Sequence, residues 1–282
     1  MAELEAALDA AGQMLPCEPP HFAEGGTVGG MVAAGISGPR RPWAGSVRDY
    51  VLGTRVITGH GKHLRFGGEV MKNVAGYDLS RLLSGSFGCL GVLAEVSVKV
   101  LPKPRQCLSL RVEMDTQTAL LKLAEWGQQP VPISAACHDG SALYLRLEGG
   151  EGSVAAARER IGGEELSGTF WSDLSEQRLP FFAGAKTLWR LSVPNNTGVL
   201  ELEGEQLLDW GGAQRWLKSD ADAQAIRAAV SKVGGHATCF TAGASDSPFQ
   251  PLAAPLLRYH QQLKAQLDPP GLFNPGRMYS EV

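Results

Sequence analysis

The chain has 282 residues, a formal net charge of −3 and a pI of about 6.1. This acidic balance argues against a dedicated nucleic-acid binder, because such proteins usually carry a basic surplus. Apolar residues make up 44% and charged residues 20% of the chain, which is typical of a globular protein with one large domain or two smaller ones.

The first half of the chain predicts short elements around irregular, glycine-rich loops. The alternation from Val92 to Val100 predicts a half-buried strand whose buried face contains Val92, Ala94, Val96, Val98 and Val100. The segment 101–104, Leu-Pro-Lys-Pro, predicts a linker. The predicted elements before it are a helix over 4–11, a short helix over 29–34, strands over 51–58 and 62–66, a short helix over 77–83 and the strand over 92–101.

The second half predicts longer strands and helices in alternation. Asp220 is the predicted N-cap of a helix whose apolar face contains Ile226 and Val230. This order predicts an α+β domain with an antiparallel sheet. The predicted strands are 108–114, 133–137, 142–147, 187–193, 206–210 and 215–218, and the other helices are 116–126, 153–161 and 254–267.

Cysteine usage and hydropathy narrow the class of protein. The chain has five cysteines with no C-x-x-C spacing, so we predict reduced thiols rather than a disulfide framework, a zinc site or an iron–sulfur cluster. The histidines are scattered, and no metal site is predicted. No run of ~18 apolar residues indicates a membrane span, and the first residues lack the basic region of a signal peptide.

Glycine is the outlier in the composition, and it is concentrated. Residues 25 to 91 hold 16 of the 35 glycines. The string Gly25-Gly-Thr-Val-Gly-Gly30 precedes a predicted helix, a pattern that favours an anion cradle made of backbone N–H groups. It is neither a dinucleotide fingerprint nor a P-loop. A tightly wound loop without a ligand explains this string equally well.

A second glycine cluster, Gly85-Ser-Phe-Gly-Cys-Leu-Gly-Val92, continues directly into a predicted strand. The glycines there would let backbone groups meet the edge of a flat ring. Four strings together resemble the FAD-binding domain of vanillyl-alcohol-oxidase/PCMH-type flavoproteins. They are Thr27-Val-Gly-Gly, Gly35-x-x-Gly38, Gly45-Ser46-x-x-Asp49-x-Val51 and the second cluster itself.

Further strings resemble one family within this group over essentially the whole chain. The tail Asp268-Pro-x-Gly-x-Phe-Asn-Pro-Gly-Arg277 is similar to the C-terminal signature of FAD-linked oxidases. Together with residues 14–20, 38–43 and 67–79, it resembles the E-subunit family of glycolate oxidases.

The resemblance implies an α+β fold in two parts. Residues 1–104 would form a PCMH-type FAD-binding domain, and residues 105–282 a cap domain with an antiparallel sheet, whose tail returns to the flavin. The family's P-x-G-x-G-x-S pyrophosphate loop lies upstream of the helix over 4–11. We therefore expect the chain to begin inside its first domain, with an N-terminally incomplete FAD site.

The resemblance also implies which residues bind FAD, non-covalently. Cys89 is expected to be a small apolar residue beside the ring, and Asn274 to approach the isoalloxazine. No catalytic residue is assigned. The implied cofactor-binding residues are Thr27, Val28, Gly29, Gly30, Ala34, Gly35, Ser37, Ser46, Cys89, Leu90, Gly91, Val92 and Asn274.

The implied activity is the oxidation of glycolate to glyoxylate by hydride transfer to FAD, with electrons passing to an iron–sulfur subunit. The implied partners are that subunit and a paralogous FAD-binding D-type subunit, with no nucleic acid. The implied location is cytoplasmic, peripheral on the inner membrane. Two alternatives stay open: a structural subunit that has lost FAD binding, and an FAD-linked oxidase of another 2-hydroxy acid such as D-lactate.

Five side chains outside this set remain as candidates. Arg40 and Arg41 are expected either to contact phosphates or an acidic partner, or to be solvated surface charges. Lys72 is expected either to stabilise reduced flavin through its charge or to bury its stem and solvate its head. His236 and His260 are candidate proton acceptors by residue type, although a structural role is favoured for both.

Overall fold

The computed structural model describes residues 1–22, 24–68 and 77–282. Its helices are α1 (Ala2–Ala10), α2 (Val28–Ala34), α3 (Arg41–Ala44), α4 (Val47–Tyr50), α5 (Leu79–Leu82), α6 (Thr116–Trp126), α7 (Glu151–Ile161), α8 (Phe170–Ser175), α9 (Ala223–Lys232) and α10 (Ala254–Leu267). Its strands are β1 (Gln13–Met14), β2 (Val51–Ile57), β3 (His63–Gly67), β4 (Val92–Val98), β5 (Leu101–Pro102), β6 (Gln106–Glu113), β7 (Ile133–His138), β8 (Ala142–Gly149), β9 (Glu164–Glu165), β10 (Leu188–Ser192), β11 (Glu205–Asp209), β12 (Gln214–Lys218) and β13 (His236–Cys239).

The chain divides into two compact units. The first unit contains Met1–Gly38, Ala44–Lys103 and Pro251–Val282, and the second contains Pro39–Trp43 and Pro104–Gln250. These units differ from the predicted division into residues 1–104 and 105–282 in two segments, Pro39–Trp43 and Pro251–Val282, and by one residue at Pro104. The difference has a physical basis in each of the two segments: an ion pair holds Arg40 in the second unit, and leucines of α10 pack into the core of the first.

The first unit contains the antiparallel sheet β3-β2-β4, with α2 packed against β4. The prediction that Val92 and Ala94 share the buried face of Val96 is wrong. Leu93 packs in the core with Val96, whereas Val92 is 49% exposed. Ala94 has no counterpart in the β2–β4 register, and such a bulge moves the residues beyond it to the opposite face.

The second unit contains an antiparallel sheet in the order β13-β10-β12-β11-β7-β8-β6-β9, all of it within the described residues. Helices α6 and α7 cover the leucines of β6 and β8, and α9 covers residues of β10 and β12. This arrangement agrees with the predicted α+β class and antiparallel sheet. The sequence did not predict β13 or α8.

The N-cap of α9 corrects a second prediction. Asp222, not Asp220, caps this helix, and its carboxylate accepts a hydrogen bond from the Ala225 N–H at 3.0 Å. The Asp220 carboxylate instead accepts from the Thr187 N–H at 3.0 Å. Both aspartates lie just before the helix, but an N-cap side chain accepts from the N–H three residues after it. Only Asp222 has this spacing to the Ala225 N–H, so it is the N-cap.

Within the described residues, the helices are all too short or too polar to cross a membrane. The same residues form no group of three or more histidine, cysteine, aspartate or glutamate side chains that could hold a metal ion. The five cysteines are free thiols, and Cys107 is exposed whereas the other four are buried.

Candidate cofactor site

The first glycine-rich segment, residues 25–35, is organised around α2. The Thr27 hydroxyl accepts a hydrogen bond from the Gly30 N–H at 2.9 Å and so caps the helix. Gly35 ends the helix in the left-handed conformation, with φ of +63°. Val32 is fully buried and anchors the helix on the core, so the opposite face, with Thr27 and Gly30, is exposed.

A cleft of about 150 Å³ lies along this exposed face. Thr27, Gly30 and Ala34 line it, and residues 19–22 form its other wall. In that wall Phe22 has a φ of +57° and is 46% exposed. The volume is below the ~300–1,000 Å³ typical of sites for drug-sized ligands, so the cleft fits only part of a dinucleotide.

The first glycine-rich segment contacts the second one, residues 85–92. The Gly85 N–H donates to the Val32 carbonyl at 3.0 Å, and the Phe87 N–H to the Ala33 carbonyl at 2.8 Å. A Cβ at Gly35 would lie 2.9 Å from both Gly85 N and Gly85 Cα. The structure therefore brings the two predicted FAD-binding segments together, and Gly35 is needed for their close approach.

Cys89 is buried at the centre of the second segment. Its thiol donates weakly to the Asn274 carbonyl at 3.6 Å. Burial raises the pKa of the Cys89 thiol, and the nearby Lys264 ammonium only partly opposes this effect. A thiol that stays protonated is a poor nucleophile, which agrees with the predicted role of a small apolar residue.

Leu90 presents a backbone group suited to a ligand. Leu90 is buried, yet its N–H has no hydrogen-bond acceptor within the described part of the chain, whereas Gly91 closes the turn over residues 87–90. Buried N–H groups are nearly always paired, so the Leu90 N–H fits an acceptor atom supplied by a bound molecule. A Cβ at Gly91, whose φ is +151°, would lie 2.7 Å from Val56 Cγ1 and 2.8 Å from the Ile57 carbonyl oxygen.

The C-terminal tail contacts the second segment through the Asn274 side chain. The Asn274 amide Nδ2 donates to the Phe87 carbonyl at 2.8 Å. Both residues have positive φ, +41° and +50°, a conformation that is uncommon outside glycine and concentrates at functional sites. A Cβ at Gly88 would lie 2.9 Å from Asn274 Nδ2. The proximity of Asn274 to the isoalloxazine itself stays a prediction.

Ser37 and Ser46 lie apart from the cleft, near the start of α4. The Ser37 hydroxyl accepts from the Val47 N–H at 3.0 Å and is buried. The Ser46 N–H and hydroxyl both donate to the Asp49 carboxylate at 2.8 Å. Both serines therefore stabilise the chain locally, and their contact with FAD stays a prediction, as does that of Val28, Gly29 and Val92.

A buried lysine that the sequence analysis missed connects the tail to the second segment. The Lys264 ammonium, in the last turn of α10, donates to the Cys89 carbonyl at 2.8 Å, the Asp268 carboxylate at 2.8 Å and the Phe273 carbonyl at 2.5 Å. Lys264 is 8% exposed and Asp268 is 1% exposed. The i,i+4 spacing directly before the Asp-Pro tail is the signal that could have identified this pair.

Asp268 is ionised in this arrangement. Burial alone would raise its pKa, but the hydrogen bonds from Lys264 and from the Phe273 and Leu272 N–H groups outweigh burial and lower the pKa below its ordinary value. The two N–H groups lie 2.8 and 3.1 Å from the carboxylate oxygens. One carboxylate therefore neutralises the lysine and shapes the start of the tail.

Both interpretations offered for Arg40 are wrong. Arg40 is 8% exposed and forms a two-pronged ion pair with Glu148 inside the second unit, with Nη2 2.8 Å from Oε1. The partner carboxylate is itself buried and 108 residues away in sequence, which local sequence analysis does not detect. Arg41 is exposed, and its guanidinium lies 4.4 Å from the centre of the Trp210 ring.

The remaining candidates do not join the site. Lys72 lies outside the described residues. His260 Nδ1 lies 2.9 Å from the Leu256 carbonyl oxygen, and its ring packs edge-on against Tyr279. His236 lies in β13, in the second unit. The contacts of His260 agree with the favoured structural role.

Comparison with known proteins places these observations in a family. Residues 1–67 match the model of an FAD binding domain. The chain is 65% identical over all 282 residues to glycolate oxidase subunit GlcE of Escherichia coli K12 and covers 80% of that protein. A D-lactate dehydrogenase of Archaeoglobus fulgidus is 34% identical over 155 residues, 54% of this chain and 31% of that protein.

A solved structure supports the fold. An alkyldihydroxyacetonephosphate synthase superposes with a TM-score of 0.66 at 17% identity, over 97% of this chain, which spans 62% of that structure's length. At such low identity this likeness shows the fold alone, whereas the similarity to GlcE extends over the full chain. The chain therefore belongs to the GlcE family of glycolate oxidase subunits, with an FAD-binding domain and the α+β fold of PCMH-type FAD-linked oxidases.

Proposed function

We propose that this chain is the FAD-binding subunit of a glycolate oxidase complex that oxidises glycolate to glyoxylate. The observation that carries the proposal is the 65% identity to GlcE over the whole chain. The contact between residues 25–35 and 85–92 supports it, because both segments are predicted to bind FAD. Bound FAD would supply the two-electron acceptor that the oxidation of a 2-hydroxy acid requires.

The residues present fit part of such a cofactor. The Leu90 N–H, which has no acceptor among the described residues, is available as a donor to its acceptor atoms. The cleft beside Thr27 and Gly30 offers room for another portion of it. The buried Cys89 side chain would exclude water beside the Leu90 N–H. This chain therefore contributes binding and positioning, and no side chain within the described residues is assigned as the catalytic base.

We further propose two partners and a location. The first partner is a paralogous D-type subunit, since 78 residues of this chain are 46% identical to glycolate oxidase subunit GlcD of Bacillus subtilis, across 17% of that protein. The second is an iron–sulfur subunit that receives the electrons. The complex would lie in the cytoplasm, peripheral on the inner membrane.

Assembly and turnover test this proposal together. The chain is co-expressed with D-type and iron–sulfur subunits, and the purified complex is assayed for dye reduction with glycolate and, separately, with D-lactate. We expect the three chains to copurify, and we expect glycolate to support faster turnover per mole of complex. A complex that forms and turns over equally well without this chain would contradict the proposal.

A second candidate is oxidation of another 2-hydroxy acid. The similarity to D-lactate dehydrogenases over 103–155 residues favours it as the alternative. Faster turnover of D-lactate than of glycolate in the same assay would select this candidate. A measurement of flavin in the purified chain after incubation with FAD distinguishes both oxidase functions from a structural subunit. A structural subunit would bind no flavin and stay colourless.

A further inference from the structure

We propose that Lys264 is a positioning residue for FAD, acting through the Cys89–Leu90 peptide and the C-terminal tail. The inference rests on the proposed FAD-binding function. Its basis is that one buried ammonium contacts both segments predicted to meet the cofactor, the second glycine-rich segment at Cys89 and the tail at Phe273.

Every donor of the Lys264 ammonium has a defined acceptor. A lysine ammonium has three N–H donors, and here they match the Cys89 carbonyl, the Asp268 carboxylate and the Phe273 carbonyl, all within 2.8 Å. A buried charge with this geometry is far more restricted than a surface lysine, because moving it would leave Asp268 unpaired in the interior. The ammonium therefore fixes two backbone carbonyls relative to each other.

The Cys89 carbonyl belongs to the same peptide group as the Leu90 N–H. In a trans peptide these two groups point in opposite directions, so the N–H is directed away from Lys264. No acceptor for it exists among the residues that the structure describes. A carbonyl that accepts from a cation polarises its peptide and strengthens the N–H as a donor. Lys264 thus orients and strengthens a donor that is open to a ligand.

The same ion pair shapes the tail. Asp268 accepts from the Leu272 and Phe273 N–H groups, and Lys264 holds the Phe273 carbonyl. The next residue, Asn274, then donates to the Phe87 carbonyl from its positive-φ conformation. The Lys264–Asp268 pair therefore positions the tail residue and the peptide donor that the resemblance assigns to FAD.

The test compares charge removal with charge retention at this position in the full chain. In K264M/D268N both charges are removed together, which avoids an unpaired buried ion. K264R keeps the charge but cannot place three donors on the same three acceptors, because its guanidinium is planar. R258M is the matched control, since it removes an exposed cation from the same helix.

Three readouts are measured: the Kd for FAD from fluorescence titration, the visible circular dichroism of bound FAD, and hydrogen exchange of peptides covering 87–92 in the FAD-free chain. For K264M/D268N we expect at least tenfold weaker FAD binding, an altered flavin dichroism spectrum and faster exchange in 87–92. For K264R we expect at least threefold weaker binding with an altered spectrum, and for R258M binding within twofold of the wild type.

A folded K264M/D268N variant with wild-type affinity and spectrum would overturn the inference. If that variant does not fold, K264R provides the test. Unchanged FAD affinity and an unchanged dichroism spectrum in K264R would also overturn the inference. A wild-type chain that binds no FAD would instead contradict the proposed function. In that case unchanged hydrogen exchange of 87–92 in the variants would separately reject the positioning role of Lys264.

Discussion

The two glycine-rich segments use glycine for different reasons. In the second segment, a Cβ at Gly88 or Gly91 would approach other atoms to within 2.9 or 2.7 Å, so the protein's own packing requires glycine there. In the first segment a Cβ at Gly25 would meet nothing within 4 Å, and one at Gly26 would meet only ordinary contacts. Gly25 and Gly26, at the start of the first segment, are therefore left open for a ligand or for chain flexibility, whereas Gly35 at its end is required by the close approach to Gly85.

The two segments also differ in how they are held. The second segment is buried at Ser86 and from Cys89 to Gly91, and it is fixed by the tail through Lys264 and Asn274. The first segment depends on its own helix caps, Thr27 and Gly35, and on the contact with Gly85. Substitutions in the second segment and its support should therefore reduce stability, whereas substitutions at the exposed start of the first segment, from Gly25 to Thr27, should reduce ligand binding more than stability.

The largest expected effect follows from D268N. This change leaves the Lys264 ammonium buried without a counter-charge, and breaking such a pair typically costs about 3–5 kcal/mol of unfolding free energy. Urea denaturation measures it, with D246N, at an exposed aspartate, as the matched control. Equal stabilities of the two variants would mean that the tail contributes little to the second segment.

The next effect is expected for Gly91→Ala. The new methyl would meet Val56 Cγ1 and the Ile57 carbonyl, and the positive φ adds strain, so we expect a loss of about 2–4 kcal/mol. Gly26→Ala in the first segment should change the unfolding free energy by less than about 0.5 kcal/mol. A similar loss in both variants would remove the distinction between the segments.

A smaller effect is expected for Thr27→Ala. Loss of the hydroxyl that accepts from the Gly30 N–H should cost about 1 kcal/mol of stability. Because Thr27 also lines the cleft, FAD affinity should fall by more than the stability change implies, and Thr27→Ser should restore both. Thermal unfolding and FAD titration of the same samples provide the two values.

The smallest effect should be visible only in acid. Because the pKa of Asp268 is lowered in the folded chain, its contribution to stability is complete above the ordinary aspartate pKa of 3.8 and is lost as the pH falls through the folded value. We expect the stability of the wild type to fall below about pH 4 more steeply than that of D268N. Parallel curves of unfolding free energy against pH for the two proteins would show that ionised Asp268 does not contribute to the stability.

The sequence predicts some elements well because their signals are local. The bounds of α6 and α10 agree with the prediction, since each has continuous apolar periodicity and a clear stop, at Gly127 and at the Asp268-Pro-Pro run. The Ala94 bulge was not predictable, because alternation along β4 contains no information on how it pairs with β2. The choice between Asp220 and Asp222 was equally hard to predict, because either can accept an N–H and only the second accepts from an amide of the helix.

The site was predictable in part. Thr27, Gly35, Cys89 and Asn274 were predicted from motifs, and the structure brings them into one region of the first unit, while their contact with FAD stays a prediction. Lys264 was missed because a lysine in the last turn of a helix is commonly a solvated charge. Its burial depends on residues 175 positions earlier in the sequence, which no local pattern reveals.

The discontinuity of the first unit has a consequence for biosynthesis. Residues Pro104–Gln250 of the second unit are translated before α10, so the first unit lacks Leu263, Leu267 and Lys264 while most of the chain emerges. Because domains tend to fold as they leave the ribosome, we expect the second unit to be folded first. The second glycine-rich segment around Cys89 would then stay partly exposed until α10 and the tail are synthesised. FAD would bind only after that point.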